Sequence, residues 1–365
     1  MKKGVRVLVV DDSAVYRQVI SKILTDGNKR IDVIGTAPNG KIALMKMENP
    51  KKKPDIVTMD IMMPEMDGFE TIGHIMDRFP VPVVIVSSLS QKDIDASLSN
   101  LGMAAFESGA VEFVRKPNPD DFHDDKRFKR ELLNKILNLS QIDLRKVITG
   151  FDFQSFQEEG EIEKPVVIEK PKRVLRKFSD LLIIIGASTG GPRAISLILS
   201  KIPAKFPPVV IIQHMPNEMV KQWVVRLQRL YPHLNVRLPK NQELIKPNRI
   251  YIAPGGKHCA IQEKKRFKLY KGEKVNFLMP SIDVTFDSAS KVYKENIVGV
   301  ILTGMGKDGL EGSKKIKAVN GSIIAEHEST CVIYGMPKAV IEEKLVDKIV
   351  PLHKIPFVLS DFCWA

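Results

Sequence analysis

Cysteine is scarce in this chain: three in 365 residues, at Cys259, Cys331 and Cys363. They are odd in number and share no ligand-like spacing. That excludes a disulfide framework and a cysteine zinc site, and it implies a reducing, cytoplasmic setting. Long apolar runs are also missing. No stretch approaches the ~20 residues that span a bilayer, and Met1-Lys2-Lys3-Gly4-Val5 enters a strand with no leader pattern, so neither membrane insertion nor a secretory signal is expected. Aromatic residues are only 7% of the chain. Lys and Arg are scattered rather than gathered around them, so no recognition helix or base-stacking surface is read and no nucleic-acid partner is expected. Acidic residues are the minority, 43 against 56 Lys and Arg, for a formal charge of +13; that balance suits docking on an acidic partner surface. The remaining composition, 44% hydrophobic and 27% charged, is that of a soluble globular protein, and the length accommodates two domains.

One stretch organises the rest: Leu181-Leu182-Ile183-Ile184-Ile185-Gly186-Ala187-Ser188-Thr189-Gly190-Gly191-Pro192-Arg193. The apolar run reads as a strand buried on both faces, as in a parallel sheet. Glycines break it, Pro192 stands where a first helical turn begins, and Ile195, Ile198, Leu199 and Ile202 follow at helical spacing. Ser188 therefore lies on a tight strand-to-helix turn whose N–H groups and positive helix end face whatever binds there. Gly186-x-Ser188-x-Gly190 fits a nucleophile elbow, in which small neighbours let the serine project. The same residues also fit a helix-capping serine or a phosphate-binding turn. A nucleotide site of that kind wants an acidic residue after the next strand. That strand, Val209–Ile212, ends instead in Gln213-His214, a general base rather than a ribose-binding carboxylate.

In the first part of the chain, Val5–Val10 is a strand that stops at Asp11-Asp12-Ser13. A helix follows, with Val15, Val19, Ile20, Ile23 and Leu24 on one face. Ile31–Ala37 is an edge-like strand, and Gly40–Met47 a short helix. Pro54–Met59 is a strand that stops at Asp60, and a helix comes after Gly68. Val83–Val86 is a strand ending in Ser87-Ser88, a helix covers about 93–108, and Val111–Arg115 is a strand ending at Lys116-Pro117. Strands alternating with helices predict an α/β doubly wound parallel sheet, with ligands at the carboxyl ends of the strands. Asp11, Asp12, Asp60, Ser87 and Lys116 all stand there. Three carboxylates so placed repel unless a divalent cation neutralises them, and hard oxygen ligands suit Mg²⁺. A fixed lysine and a hydroxyl suit phosphoryl oxygens.

Val9-Val10-Asp11-Asp12-Ser13, Met59-Asp60-Ile61-Met62-Met63-Pro64-x-Met66-Asp67-Gly68, Val86-Ser87-Ser88 and Lys116-Pro117 resemble the receiver domain of two-component response regulators, over about residues 4–125. The resemblance implies a flavodoxin-like fold in which Asp60 accepts a phosphoryl group from a histidine kinase. It further implies that Asp11 and Asp12 hold Mg²⁺ together with Asp60, that Ser87 and Lys116 meet the phosphoryl group, and that Phe113 occupies the aromatic switch position. Met62 departs from the family, which often carries Glu there.

Residues 126–146 show a helical pattern with Phe128, Leu132, Leu133, Ile136, Leu137 and Leu139 on its apolar side. From Gln154 to Lys177 the chain is charged and poor in aromatics, which reads as a linker. The expected division is a receiver over 1–125, a helical extension and linker over 126–178, and a second α/β domain over 179–365. In that last part, the strand Val209–Ile212 leads to a helix from about Glu218 to Tyr231. Asn248–Ala253 is a strand, and Lys257–Ile261 with Lys265–Lys271 form an antiparallel pair. Pro280 to Tyr293 leads a helix. The strand Ile297–Leu302 ends in Thr303-Gly304-Met305-Gly306-Lys307-Asp308-Gly309 before a helix over 310–319, and strands at 321–326 and 348–350 complete the sheet. Ser188, His214 and Asp308 each follow an apolar strand, so they are expected on one rim as nucleophile, base and orienter of the base. Read singly, His214 also fits a structural hydrogen-bonder and Asp308 a turn residue. His258 is the competing base.

Ile185–Pro192, Gln213-His214-Met215-Pro216, Ile252-Ala253-Pro254-Gly255, Pro280-Ser281-Ile282-Asp283-Val284, Leu302–Gly309 and Tyr334-Gly335-Met336-Pro337 resemble the catalytic domain of the chemotaxis receptor methylesterases of the response-regulator type. The resemblance implies a Rossmann-like α/β domain. In it Ser188 is the nucleophile, His214 the base and Asp308 its partner, with Thr189 and Met305 lining the site and no cofactor required. It also implies phosphorylation-activated hydrolysis of glutamate methyl esters, with methanol release, and deamidation of receptor glutamines. The implied partners are methyl-accepting chemoreceptors and a chemotaxis histidine kinase. The alternative is a response regulator whose C-terminal domain only binds a partner. The tail after Leu352 carries no motif.

Overall fold

The computed structural model describes residues 4–49, 53–87, 111–117, 125–140 and 177–363. The chain divides into two compact units, Met1–Arg145 and Lys146–Ala365. The helix expected near 93–108 and the charged linker lie outside the described residues.

In the first unit β1 (Val5–Val10), β2 (Ile31–Ala37), β3 (Ile56–Met59), β4 (Val83–Ser87) and β5 (Val111–Arg115) form one sheet in the order β2-β1-β3-β4-β5, every pair parallel. This is the flavodoxin-like order, and the chain reverses direction across the sheet between β1 and β3. β3 and β4 are buried along their whole length, as a strand covered on both faces must be. Among the described residues of this unit the helices are α1 (Ala14–Gly27), α2 (Gly40–Met47), α3 (Gly68–Arg78) and α4 (Lys126–Leu139). Ser13, Asn39, Asp67 and Asp125 cap them, each side chain accepting from an N–H of the first turn. On α1 the expected apolar face is buried at Val19, Ile20, Ile23 and Leu24, but Val15 is 63% exposed. The helix begins at the rim of the sheet, so its first turn lies beyond the strands that cover the later turns. α4 ends at Leu139, and Phe128, Leu132, Ile136 and Leu139 join the core formed by β1 and α1. The helix that the sequence sets apart as an extension thus packs as part of the first unit. Lys135 of α4 pairs with the buried Glu112 of β5.

The second unit is built on seven strands: β6 (Leu182–Ala187), β7 (Val209–Gln213), β8 (Val236–Arg237), β9 (Ile250–Ile252), β12 (Ile297–Ile301), β13 (Ser322–Glu326) and β14 (Lys348–Val350). Their order is β14-β13-β12-β6-β7-β9-β8, all parallel. β10 (His258–Gln262) and β11 (Arg266–Tyr270) form a separate antiparallel pair. Among the described residues the helices of this unit are α5 (Gly191–Leu199), α6 (Asn217–Leu230), α7 (Ile282–Tyr293), α8 (Leu310–Ala318), α9 (Met336–Glu342) and α10 (Ile355–Cys363). The chain winds from β6 outward through β7 to β9, then returns to β12 on the other side of β6. The switch point of the sheet is therefore between β6 and β12. The short strand β8 and the helices α9 and α10 are not legible in the sequence. No helix among the described residues is long and apolar enough to cross a membrane.

Candidate functional site

In the first unit the carboxyl ends of β1 and β3 bring Asp11, Asp12 and Asp60 together, with one oxygen of each within 4.8 Å of the others. Asp11 and Asp60 are buried and Asp12 is exposed. Lys116, at the end of β5, reaches Asp60 Oδ2 at 2.5 Å and Asp11 Oδ2 at 2.7 Å. Its ammonium also lies 4.3 Å from the centre of the Tyr16 ring. Burial pushes the Asp11 carboxyl up to about 6 against the pull of Lys116, and Asp11 Oδ2 makes no well-directed hydrogen bond. One lysine for three carboxylates leaves negative charge uncompensated. A hard divalent cation such as Mg²⁺ fits this donor set and would use that oxygen. Ser87 is buried at the end of β4, and its carbonyl accepts from Lys116 N at 3.0 Å. Phe113 is half-buried on β5.

In the second unit the turn after β6 lies at the switch point. Ala187 is opposite Gln213 in the pairing of β6 with β7, so Ser188 and His214 are the next residues on neighbouring strands. Backbone bonds fix both: Ser188 N donates to Thr303 O at 3.0 Å, and His214 N to Ala187 O at 3.1 Å. Ser188 O accepts from Gly191 N at 2.8 Å and from Nε2 of the buried Gln213 at 2.9 Å. Gly190, with φ of 78°, supplies the left-handed step into α5. Thr189 is buried, and its carbonyl accepts from Thr303 Oγ1 at 2.9 Å.

Asp308 comes from the loop after β12. Its Oδ2 is 2.8 Å from His214 Nε2, and the side chains are 8% exposed for the histidine and fully buried for the aspartate. The same carboxylate accepts from Ile282 N at 2.7 Å, Ser281 Oγ at 2.8 Å and Asp283 N at 3.1 Å, so it caps α7 from another part of the chain. Burial works against its charge, but the His214 ring and these backbone N–H groups outweigh burial and hold the carboxyl below the usual range. With Nε2 engaged by the carboxylate, Nδ1 is the ring nitrogen left to exchange a proton. Met305 is half-buried in the same loop. The side chain of Ser188 makes no hydrogen bond to His214 here; bonds of that kind commonly tighten only around substrate.

His258, the competing base of the sequence reading, does not join this group. It is buried in the β10–β11 pair, with Nε2 bonded to Glu273 O at 2.8 Å. Sequence reasoning missed Gln213 as an anchor of the serine turn and Ser281 and Asp283 as partners of Asp308. The signal for the last two was the Pro280–Val284 motif, whose spacing alone assigns it no role. It also missed Glu326, which is buried and accepts from Thr303 N at 2.8 Å, and whose carboxyl burial pushes up to about 7.

Comparison with known proteins matches two domain families: CheB methylesterase over residues 183–359 and the response regulator receiver domain over residues 7–125. The first match includes most of the tail after Leu352. A Thermotoga maritima protein named protein-glutamate methylesterase/protein-glutamine glutaminase is 38% identical, across 96% of each chain. The Archaeoglobus fulgidus protein of that name is 40% identical, across 96% of this chain and 95% of its own. Among solved structures, the T. maritima CheB methylesterase catalytic domain is 44% identical, covering 49% of this chain and 96% of that one with a TM-score of 0.48. With a receiver in front, a methylesterase domain behind and relatives aligned nearly end to end, this chain belongs to the protein-glutamate methylesterase/protein-glutamine glutaminase family.

Proposed function

We propose that this chain hydrolyses glutamate methyl esters on methyl-accepting chemoreceptors, releasing methanol, and deamidates receptor glutamines by the same acyl-enzyme route. Phosphorylation of its receiver by a chemotaxis histidine kinase activates it, and it works in the cytoplasm. Residues 179–365 form the catalytic part, joined to the receiver through 126–178. The observation that carries this reading is the buried Asp308 carboxylate on His214 Nε2 beside Ser188, at the switch point of the sheet.

In this mechanism Ser188 Oγ attacks the ester carbonyl as its proton passes to His214 Nδ1. Asp308 steadies the imidazolium that forms. His214 then gives the proton to the departing methoxide, and water, activated by the same nitrogen, cleaves the acyl-serine. The amides of Ser188 and Gly191 are already committed to carbonyls. In this reading the oxyanion falls to the turn amides of Thr189 and Gly190, with Met305 lining the site; losing one such donor typically costs about 10²–10³-fold. Glutamine deamidation follows the same path with ammonia as the leaving group.

In the receiver, Asp60 takes the phosphoryl group, and Lys116 and Ser87 meet its oxygens. Asp11, Asp12 and Asp60 would hold Mg²⁺, which when bound offsets the charge of the carboxylates and the phosphoryl group. Phe113 reports the change at β5. The test is methanol release from a methylated receptor fragment, with and without Mg²⁺ and a small phosphoryl donor. Release should rise with the donor, and Asp60→Asn should abolish that rise while keeping the basal rate. No release under either condition would overturn the esterase reading.

A second expectation concerns Gly304. A Cβ there would lie 2.7 Å from Ser188 Cβ, 3.1 Å from Ser188 N and 2.5 Å from Met336 Sδ. Met336 can rearrange, but Ser188 cannot without leaving its turn. Gly304→Ala is expected to lower kcat by about 10²-fold through misplacement of the nucleophile. Wild-type kcat in that variant would show that the turn tolerates the shift.

A further inference from the structure

One buried acid that the mechanism does not use stands directly beside Asp308. Asp283, in the first turn of α7, is 7% exposed. Its Oδ1 accepts from Gly309 N at 2.9 Å and Gly312 N at 2.7 Å, at the start of α8. Asp308, just before α8, accepts in return from Ile282 N and Asp283 N at the start of α7. Each helix N-terminus is thus capped by a carboxylate supplied by the other helix or the loop before it, and each carboxylate sits at a positive helix end. We infer that Asp283 is a positioning residue for the proton-transfer site: it pins the start of α8, so that Asp308 Oδ2 stays on His214 Nε2, and its charge contributes to the field acting on that ring. The inference rests on the Ser188, His214 and Asp308 reading given above.

Backbone freedom explains why such an anchor is needed. Asp308 is followed by Gly309, at φ of 95°. A glycine hinge lets the preceding carboxylate swing unless its own N–H is held. Asp283 holds that N–H.

Charge supports the second half of the inference. Asp308 receives five donors, from Ser281 Oγ, Asp283 N and Gly309 N on Oδ1 and from Ile282 N and His214 Nε2 on Oδ2. Asp283 receives the two glycine N–H groups and a longer contact from Asn276 Nδ2 at 3.4 Å. Negative charge therefore settles on Asp308, while burial and then the neighbouring Asp308 push Asp283 up to about 7. Among the described residues, these charged and titratable groups stand around it. Lys314 of α8 interacts with its charge, and Asp287, one turn along α7, is paired with Lys291. β10, packed on α7, contributes the buried Cys259, whose carbonyl accepts from Thr285, and His258, bonded to Glu273 O. Ionised Asp283 adds a second negative charge behind Asp308 and favours the imidazolium. The ionisation of Asp283 is therefore linked to that of the neighbouring Asp308.

Asp283→Asn keeps the shape and one acceptor while removing the ionisation. We would follow kcat/KM for methanol release over roughly pH 5 to 9. The wild-type profile should require two ionisations on its acid side and the Asn variant one, with kcat near neutrality reduced by about tenfold and KM unchanged. A helix cap alone would scale the rate and leave the shape of the profile intact. Ser281→Ala provides an independent arm, since it removes one donor from Asp308 without touching α8. Its kcat should fall by roughly threefold to tenfold, with both ionisations retained. A folded Asp283→Asn enzyme with the wild-type profile would overturn the inference. Should that variant fail to fold, a wild-type profile that fits a single ionisation on its acid side would overturn it. Methanol release by Ser188→Ala would instead remove the reading beneath it.

Discussion

Ser188→Ala is expected to lose methanol release by roughly 10⁴-fold or more while melting within a few degrees of the wild type. The two halves of this expectation have separate physical origins. The turn that carries Ser188 is held by its backbone: its N–H is on Thr303 O, and its carbonyl is on Gly191 N and Gln213 Nε2. Gly190 supplies the left-handed step into α5. None of these bonds uses the hydroxyl, so alanine keeps all of them. A change of that kind usually costs no more than about 0.5–1 kcal/mol. The expected loss of rate, in contrast, comes from the missing hydroxyl. Without it, His214 has no proton to accept and no acyl-enzyme forms; what remains is the electrostatic help that the turn amides give to water. Single-turnover methanol release beside a thermal melt checks both halves. A variant that melts like the wild type and still releases methanol at more than a tenth of its rate would remove Ser188 from the mechanism.

The parts of this protein that sequence makes legible are those where one residue type has one physical explanation. Buried parallel strands read as apolar runs, and the residues just past each run stand on the rim of the sheet. Asp11, Asp12 and Asp60 could be placed together because each comes at the end of such a run, and Ser188 and His214 for the same reason. The residues that escaped have a common cause as well. Asp283 and Ser281 act through N–H groups and a carboxylate from a distant loop, with sequence separations of 25 to 29 residues. No local periodicity encodes such a bond. Helix α9 begins at Met336-Pro337 and is only seven residues long, too short for its apolar spacing to stand out. Val15 failed differently: helical spacing assigns a residue to a face but not to the part of that face the sheet covers. His258 comes after a glycine pair much as His214 comes after a strand, and only the antiparallel pairing of β10 with β11 separates them.

Asp308→Asn is expected to reduce kcat by about 10⁴-fold, the loss found when the acid of such a group is replaced by its amide. All five partners of this side chain donate to it: Ser281 Oγ, Asp283 N and Gly309 N to Oδ1, and Ile282 N and His214 Nε2 to Oδ2. A carboxylate can satisfy them all, whereas a carboxamide has one acceptor oxygen. If that oxygen takes the Oδ1 place, the amide N–H groups meet Ile282 N and the histidine. His214 must then carry its proton on Nδ1, where it cannot accept one from Ser188. If the oxygen takes the Oδ2 place, the histidine keeps its tautomer but loses the charge that stabilises the imidazolium, and Asp283 N faces a donor. Either arrangement leaves a buried N–H unpaired, at a cost of about 1–3 kcal/mol. The melting temperature should therefore fall along with kcat, unlike that of Ser188→Ala. Near-wild-type kcat in a folded Asp308→Asn enzyme would show that the carboxylate serves only to cap α7.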